Sequence, residues 1–418
     1  MSPAVTTAVA QPPSRFLRNA LVLGLLTALG PFAIDMYLPS LPVIGTSLGV
    51  DADMALRSLT AYFLTFAFGQ MLFGPLSDLV GRKPPLYAGV ALFLAASIGC
   101  ALARDIHALI ILRAIEGLGG AAGMVIARAI VRDLHSGHEE VRLLSLLMLV
   151  FSVSPVLAPL AGSLIIEFSS WRGVFWLIAA LAVLGLLLTW FLVPETRPPE
   201  VRAGSSHRSV LLACRRLVTD GSFMSLSMVG ALAISGFFVF LANSSFVFTG
   251  HYGLTPRLYS LVFGVNAAAF FAGMQLSGQL ARRYGLRRVV RWALAAYAAL
   301  LLLLTALVAA GVDHLALVVG LLFVAYSFIG LMLPGASVLA LAEHGEIAGT
   351  ASSLMNTLQL VTGTVTMGIS GRFADGTPLP MIAGIAICAM LALLLACATL
   401  RGNGAVEAAA PDGAAPHP

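Results

Sequence analysis

Two acids and an arginine lie well inside apolar runs of this sequence: Asp35, Glu116 and Arg113. Charge in hydrocarbon is costly, so such residues persist where they pair, titrate or bind. Asp35 stands eleven residues before Thr46, where its apolar run ends, and Arg113 stands eight after Asp105, where another begins. At about 1.5 Å per helical residue, both come to roughly 12–17 Å from one face of a bilayer, so their depths allow them to meet. Burial disfavours an ionised carboxylate and a neighbouring guanidinium favours it, so a carboxylate held between these influences exchanges a proton as its surroundings change. The other reading is a permanent Asp35–Arg113 pair that only orders two helices. Glu116, three residues beyond Arg113 on nearly the same helical face, is either a second titrating acid or the local partner of Arg113.

Amides also lie in the runs, among them Asn243, Asn266, Gln275, Asn356 and Gln359. With Tyr37, Phe237, Phe238, Phe240 and Tyr326 they suit an apolar, polarisable cavity wall that carries a few orienting contacts. Taken singly, the aromatics suit helix packing equally well. Gly117, Gly119, Gly120 and Gly123 permit close helix contact.

A second charged stretch, Gly74-Pro-Leu-Ser-Asp-Leu-Val-Gly-Arg-Lys-Pro84, separates two apolar runs. Gly81 suits a tight turn, Pro84 the first turn of a helix, and Arg82 and Lys83 a cytoplasmic position. Asp78, at the end of a helix, requires a cation or a helix N-terminus. Its expected partner is the start of the eleventh span near residues 347–349 or a cytoplasmic arginine, an arrangement that latches the cytoplasmic side.

Membrane helices must position these groups. The chain has 418 residues, 59% of them hydrophobic and 10% charged, and a mean hydropathy of +0.95, which excludes an ordinary soluble domain. Apolar runs predict twelve spans near 17–44, 54–77, 84–103, 107–132, 141–167, 171–193, 222–249, 256–280, 286–310, 313–342, 347–372 and 377–400. With an even number of spans both termini share a side, and that side holds 18 basic residues against five opposite. The termini are therefore expected in the cytoplasm. The expected organisation is a tail 1–16, a six-helix bundle 17–193, a central loop 194–221, a second bundle 222–400 and a tail 401–418. Within the loop, 207–219 suits either a short amphipathic helix on the membrane surface or a solvated linker. Basic residues scattered between apolar runs argue for topology and against nucleic acid. Four cysteines form neither a disulfide framework nor a metal motif. The polar start 1–14 lacks a signal-peptide pattern and is read as a cytosolic tail.

The second half repeats the first. Gly74 and Gly81 recur as Gly278 and Gly285, an offset of 204 at both, whereas Asp78 gives way to Arg282. Such repeats around a central loop characterise secondary transporters. The chain here resembles the major facilitator superfamily, and more closely its bicyclomycin and chloramphenicol resistance (Bcr/CflA) branch of drug:proton antiporters. Four stretches carry the resemblance: Phe32 to Pro42, Gly74 to Pro84, Arg113 to Gly123, and Ser154-Pro155 through Pro159 to Gly162. Leu79 departs from the usual arginine of the second stretch. Ser154, Ala158 and Ser163 replace glycines of the antiporter motif to which Pro155, Pro159 and Gly162 belong.

The resemblance implies an all-α membrane protein of twelve helices in two six-helix halves, with spans 3, 6, 9 and 12 facing lipid. It implies proton-coupled export of small drug-like molecules by alternating access, in a bacterial inner membrane, by a monomer that needs no cofactor beyond the proton gradient. Proton-coupled import of a metabolite is the nearest rival. An intramembrane enzyme would need paired catalytic aspartates, a zinc helix or a serine–histidine pair, and the sequence has none of these. A scaffold would not need Asp35 and Arg113.

Overall fold

A computed structural model of the protein describes residues 13–197, 207–342 and 344–401. The tails 1–12 and 402–418, and loop residues 198–206 with Arg202, lie outside the described residues. The first half comprises α1 (Pro13–Asp35), α2 (Leu41–Leu48), α3 (Ala52–Val80), α4 (Lys83–Leu102), α5 (Ile106–Leu134), α6 (His138–Phe168) and α7 (Trp171–Leu192). After α8 (His207–Thr219) follow α9 (Gly221–Phe246), α10 (Pro256–Tyr284) and α11 (Leu286–Ala309). The chain then runs through α12 (Leu315–Leu341), α13 (Ala348–Gly371) and α14 (Pro378–Arg401). Among the described residues there is no strand. This is what hydrocarbon requires, because a helix satisfies its backbone polar groups within itself.

Eleven spans, among the described residues, are long and apolar enough to cross a membrane, with α1 and α2 forming one span from Phe16 to Leu48. The twelfth is α13. Its 24 residues exceed a bilayer core of about 30 Å. Serines, threonines, Asn356 and Gln359 lower its hydropathy, but it has no Asp, Glu, Lys or Arg. The protein is thus an all-α, multi-pass membrane protein of twelve spans. In the central loop, residues 207–219 form a helix rather than a linker. Its Leu217 packs with Phe223, Ala340, Ala351 and Met355.

Packing sorts the helices into two compact units. One comprises the described part of Met1–Val210 with Phe238–Ala268 and Thr364–Met381; the other comprises Leu211–Phe237, Ala269–Gly363 and the described part of Ile382–Pro418. Division by chain order into 17–193 and 222–400 is a different partition.

In the first unit α5 packs against α1, α3 and α4. Its glycines explain the closeness: a side chain at Gly117 would collide with the backbone of Tyr62, at Gly119 with Gly89 and Phe93, and at Gly123 with Leu26. In the second unit the same logic joins α10 to α12, where Gly273 lies against Ser327 and Gly330 against Phe270. Gly273 matches Gly69 at the repeat offset of 204, and Gly69 likewise lies against the Leu118 carbonyl of α5.

The repeat also shows at the helix ends. His135, just after α5, lies edge-on to Phe16 and 3.3 Å from Asn19 Nδ2, both in α1. His344, just after α12, lies edge-on to Phe223 of α9, and its Nε2 is 3.1 Å from Asp220 Oδ2. Asp220 caps α9 by accepting from the backbone N–H groups of Ser222 and Phe223 at 2.8 and 3.0 Å. The Phe223 bond, with that of Ser222 and the nearby His344, holds its carboxyl below the ordinary carboxylate range.

Gly81 and Gly285 end and begin corresponding helices with φ of 97° and 86°. Gly81, with ψ of 167°, occupies a region that side chains exclude. Gly81→Ala should therefore cost about 1–3 kcal/mol, seen as a lower unfolding midpoint of the detergent-solubilised protein, whereas Gly74→Ala should cost less.

Candidate functional site

Asp35 is the last residue of α1. Pro39 and Pro42 have no N–H to continue the helical ladder, so the chain turns. Met36 N bonds to Phe32 O at 3.0 Å, Ser40 N bonds to Tyr37 O at 2.9 Å, and a 3-10 turn over Leu38–Ser40 leads into α2. The predicted continuous span 17–44 is therefore broken just past Asp35. Asp35 and Tyr37, two residues apart and so about 200° apart around a helix, face different neighbours.

Asp35 goes to α6. It is 6% exposed, and the Ser154 hydroxyl donates to its Oδ2 at 2.8 Å. Pro155 and Pro159 lie inside α6, and Gly162 lies against the Met36 carbonyl, where a side chain would collide. On α10, Ser260 donates to the Pro159 carbonyl at 2.9 Å. The motif Pro155, Pro159 and Gly162 is thus the part of α6 that meets both α1 and α10.

Tyr37 goes to α5. The Arg113 guanidinium carbon lies 4.3 Å from its ring centroid, 4.2 Å from that of Tyr62 and 5.8 Å from that of Phe175. Arg113 does not meet Asp35 as expected; its ion pair is with Glu116, at 2.7 Å. The reason is local, since residues three apart on a helix meet whatever the neighbouring helices do. The other Glu116 oxygen accepts from Ser97 at 2.7 Å, and Cys100 Sγ lies 3.9 Å from the first. Arg113 Nε and Nη2 have no hydrogen-bond acceptor among the described residues. Ring faces stand in for one. Both members of the pair are wholly buried, so Glu116 is the local partner of Arg113 in this structure.

At the opposite end of α3, Asp78 takes the second of its two expected partnerships. Its Oδ1 lies 2.8 Å from Arg82 and 3.1 Å from Arg197. Arg82 also binds Asp133 at 2.7 Å and donates to Ser77 at 2.8 Å. Burial alone would weaken its hold on a proton, but Asp133, with Asp78, reverses this and holds the guanidinium charged. The helix N-terminus that does receive a carboxylate is that of α4, where Glu195 accepts from the backbone of Arg82 and Lys83 at 2.9 and 3.0 Å. Thr196 closes the network by donating to Asp133 at 2.8 Å. Gly74 lies in α3 against Val125.

The expected cavity residues fall in both units. In the first, Phe238 meets Phe63 edge-on at 5.0 Å, and Asn243 donates to Val239 O and Ser370 Oγ at 2.9 and 3.0 Å. Asn266 donates to Val262 O at 2.9 Å, while its buried Oδ1 has no partner among the described residues. In the second unit, Phe237 stacks on Phe270 at 5.9 Å and meets Tyr326 edge-on at 5.8 Å. Asn356 there is exposed and Gln359 half-buried. Sequence reasoning missed Tyr62, Ser97, Asp133 and Glu195. A count of hydroxyl groups in the spans, beyond charges and amides, would have drawn attention to Ser97.

Residues 23–367 match the family described as the Major Facilitator Superfamily. The chain is 34% identical over 381 residues to the uncharacterized MFS-type transporter YdgK of Bacillus subtilis (strain 168), covering 90% of this chain and 94% of that one. It is 29% identical over 383 residues to a bicyclomycin resistance protein homolog of Haemophilus influenzae (strain ATCC 51907 / DSM 11121 / KW20 / Rd), with the same coverage of 90% and 94%. Among solved structures, that of a D-xylose-proton symporter superposes with a TM-score of 0.70 at 17% identity, covering 91% of this chain and 97% of that one.

Removing one member of a dry ion pair strands the other. Arg113→Met or Glu116→Leu alone should destabilise the protein by about 3–5 kcal/mol, and the double variant by much less than the sum. Unfolding of the four proteins in one detergent measures this coupling, and additive losses would dissolve the pair as a unit.

Proposed function

The chain belongs to the Major Facilitator Superfamily, and from that premise we propose that it exports small drug-like molecules in exchange for protons by alternating access. Asp35 carries this reading. It is an acid within a membrane span that accepts a hydrogen bond from a neutral hydroxyl, Ser154, while the arginine expected to neutralise it is held by Glu116. No ion pair to Asp35 occurs among the described residues, so in this reading its charge follows access to water. A proton carried by Asp35 and a drug carried in the same cavity then become alternatives.

Asp35 touches the Pro-bearing part of α6, and that segment also touches α10. Protonation thereby acts on a joint between helices, which is where alternating access needs a lever. The ring of Asp78, Arg82, Asp133 and Arg197 serves as the cytoplasmic latch. The candidate substrate contacts of this reading are Phe238, Asn243 and Asn266 in the first unit and Phe237, Tyr326, Asn356 and Gln359 in the second. Resistance named for bicyclomycin in a relative supports a drug as cargo.

The test is expression in a bacterium stripped of its own exporters. Wild type should raise resistance to members of a drug panel, a protonophore should abolish that gain, and Asp35→Asn should lower export to the protonophore-treated level while drug binding survives. Equal export by Asp35→Asn would remove Asp35 as the carrier. Uptake into intact cells in place of export would establish the rival, proton-coupled import. Orientation has its own test: a reporter active only outside the cytoplasm should be silent when fused after Arg197 and active after Thr377, as the bias of 18 basic residues to five requires.

A further inference from the structure

The turn from α10 to α11 places Arg282, Arg283, Arg287, Arg288 and Arg291 within ten residues. Arg282, Arg283, Arg288 and Arg291 are exposed. Among the described residues no carboxylate forms an ion pair with any of these four.

The corresponding turn of the first repeat is answered quite differently. There Arg82 is bound by Asp78 and Asp133, and Glu195 caps the start of α4. An offset of 204 replaces Asp78 with Arg282, Pro84 with Arg288 and Tyr87 with Arg291. The start of α11, led by Gly285, has no side-chain cap. Arginines beside the positive end of a helix dipole repel it and one another, so the second turn concentrates positive charge, and Arg282, Arg283, Arg288 and Arg291 carry theirs without an ion pair among the described residues.

Two aromatic residues set the level of that charge. Tyr284 is 39% and Trp292 57% exposed, with ring centroids 6.3 Å apart. Arg283 lies over Tyr284 at 5.3 Å and Arg288 over Trp292 at 5.7 Å. On α11, Arg288, Arg291 and Trp292 share a face by their spacing, while Val289, Val290, Ala293 and Leu294 are buried on the other. Tyrosine and tryptophan at the ends of membrane helices sit at headgroup depth. An anion that meets the arginines at that depth is a lipid phosphate rather than a dissolved ion.

We propose that this turn is a binding site for anionic phospholipid, its phosphodiester held by Arg288 and Arg291 with Arg282 and Arg283 alongside, and Trp292 and Tyr284 against the glycerol region. It is separate from the proton and drug sites, so its fate does not depend on theirs.

Native mass spectrometry of the purified full-length protein, with phosphatidylglycerol or phosphatidylcholine added, tests this. Wild type should retain phosphatidylglycerol over phosphatidylcholine. Arg288→Gln with Arg291→Gln should weaken that retention by roughly tenfold or more. Arg288→Lys with Arg291→Lys should preserve most of it, and this pair also serves if the glutamine variant fails to fold. Arg57→Gln, which alters the arginine paired with Asp53, should change nothing. Equal retention of the two lipids, or unchanged retention in the glutamine variant, overturns the proposal. So does displacement of the lipid by millimolar inorganic phosphate, which would make the site one for a soluble anion.

Discussion

A charge buried where water does not reach must be answered by the protein itself, and the Arg113–Glu116 pair is where this chain meets that demand most completely. Both residues are wholly buried, and the arginine lies against the rings of Tyr37 and Tyr62. That arrangement requires helices close enough to seal the pair. The glycines of α5 meet the requirement a few residues further on, where Gly117, Gly119 and Gly123 admit the backbones of α3, α4 and α1 in turn. A sealed pair and a close-packed hub are one constraint seen twice.

Glu116 pairs with Arg113, and Asp35 accepts from a neutral hydroxyl instead. Asp35 is directed to Ser154 on α6, and Tyr37, two residues on, to Arg113 on α5. Under the proposed exchange of drug for protons, static charge compensation and exchangeable charge would fall to neighbouring but different groups. Strong pairing would hold Asp35 ionised, and a transporter that carries a proton needs a carboxylate that is not so held. The prolines of α6 matter here because a helix with missing N–H donors bends more readily than a regular one.

At the helix ends the two repeats share a backbone plan and differ in charge. Gly81 and Gly285 adopt matching positive φ, and His135 and His344 dock on Phe16 and Phe223 in matching ways. The first repeat adds Asp78, Asp133 and Glu195, which hold Arg82 and the start of α4. The second substitutes arginine for the acid. One half is thus tied together by internal charge pairs, and the other turns its charge outward.

Much of this was legible in the sequence. Long apolar runs, the imbalance of basic residues, the glycine repeat and the polar residues isolated within spans all follow from what hydrocarbon and backbone geometry allow, and these act on each residue through its own type and spacing. Spacing alone also contained the Arg113–Glu116 contact, though depth in the membrane argued for Asp35 as the partner. Which of two acids binds an arginine depends on which neighbouring helix each face of a span meets, and the periodicity of one helix does not say what packs opposite it. The same holds for Tyr62, Asp133 and Glu195. Their roles arise between residues distant in the chain, as with Glu195 at the start of α4, and only packing brings such groups within hydrogen-bonding reach. The sequence determined the number of spans and the chemistry available within them; the tertiary structure decided which acid pairs with Arg113 and which accepts from a hydroxyl instead, because pairing falls off within a few ångströms and sequence distance does not measure it.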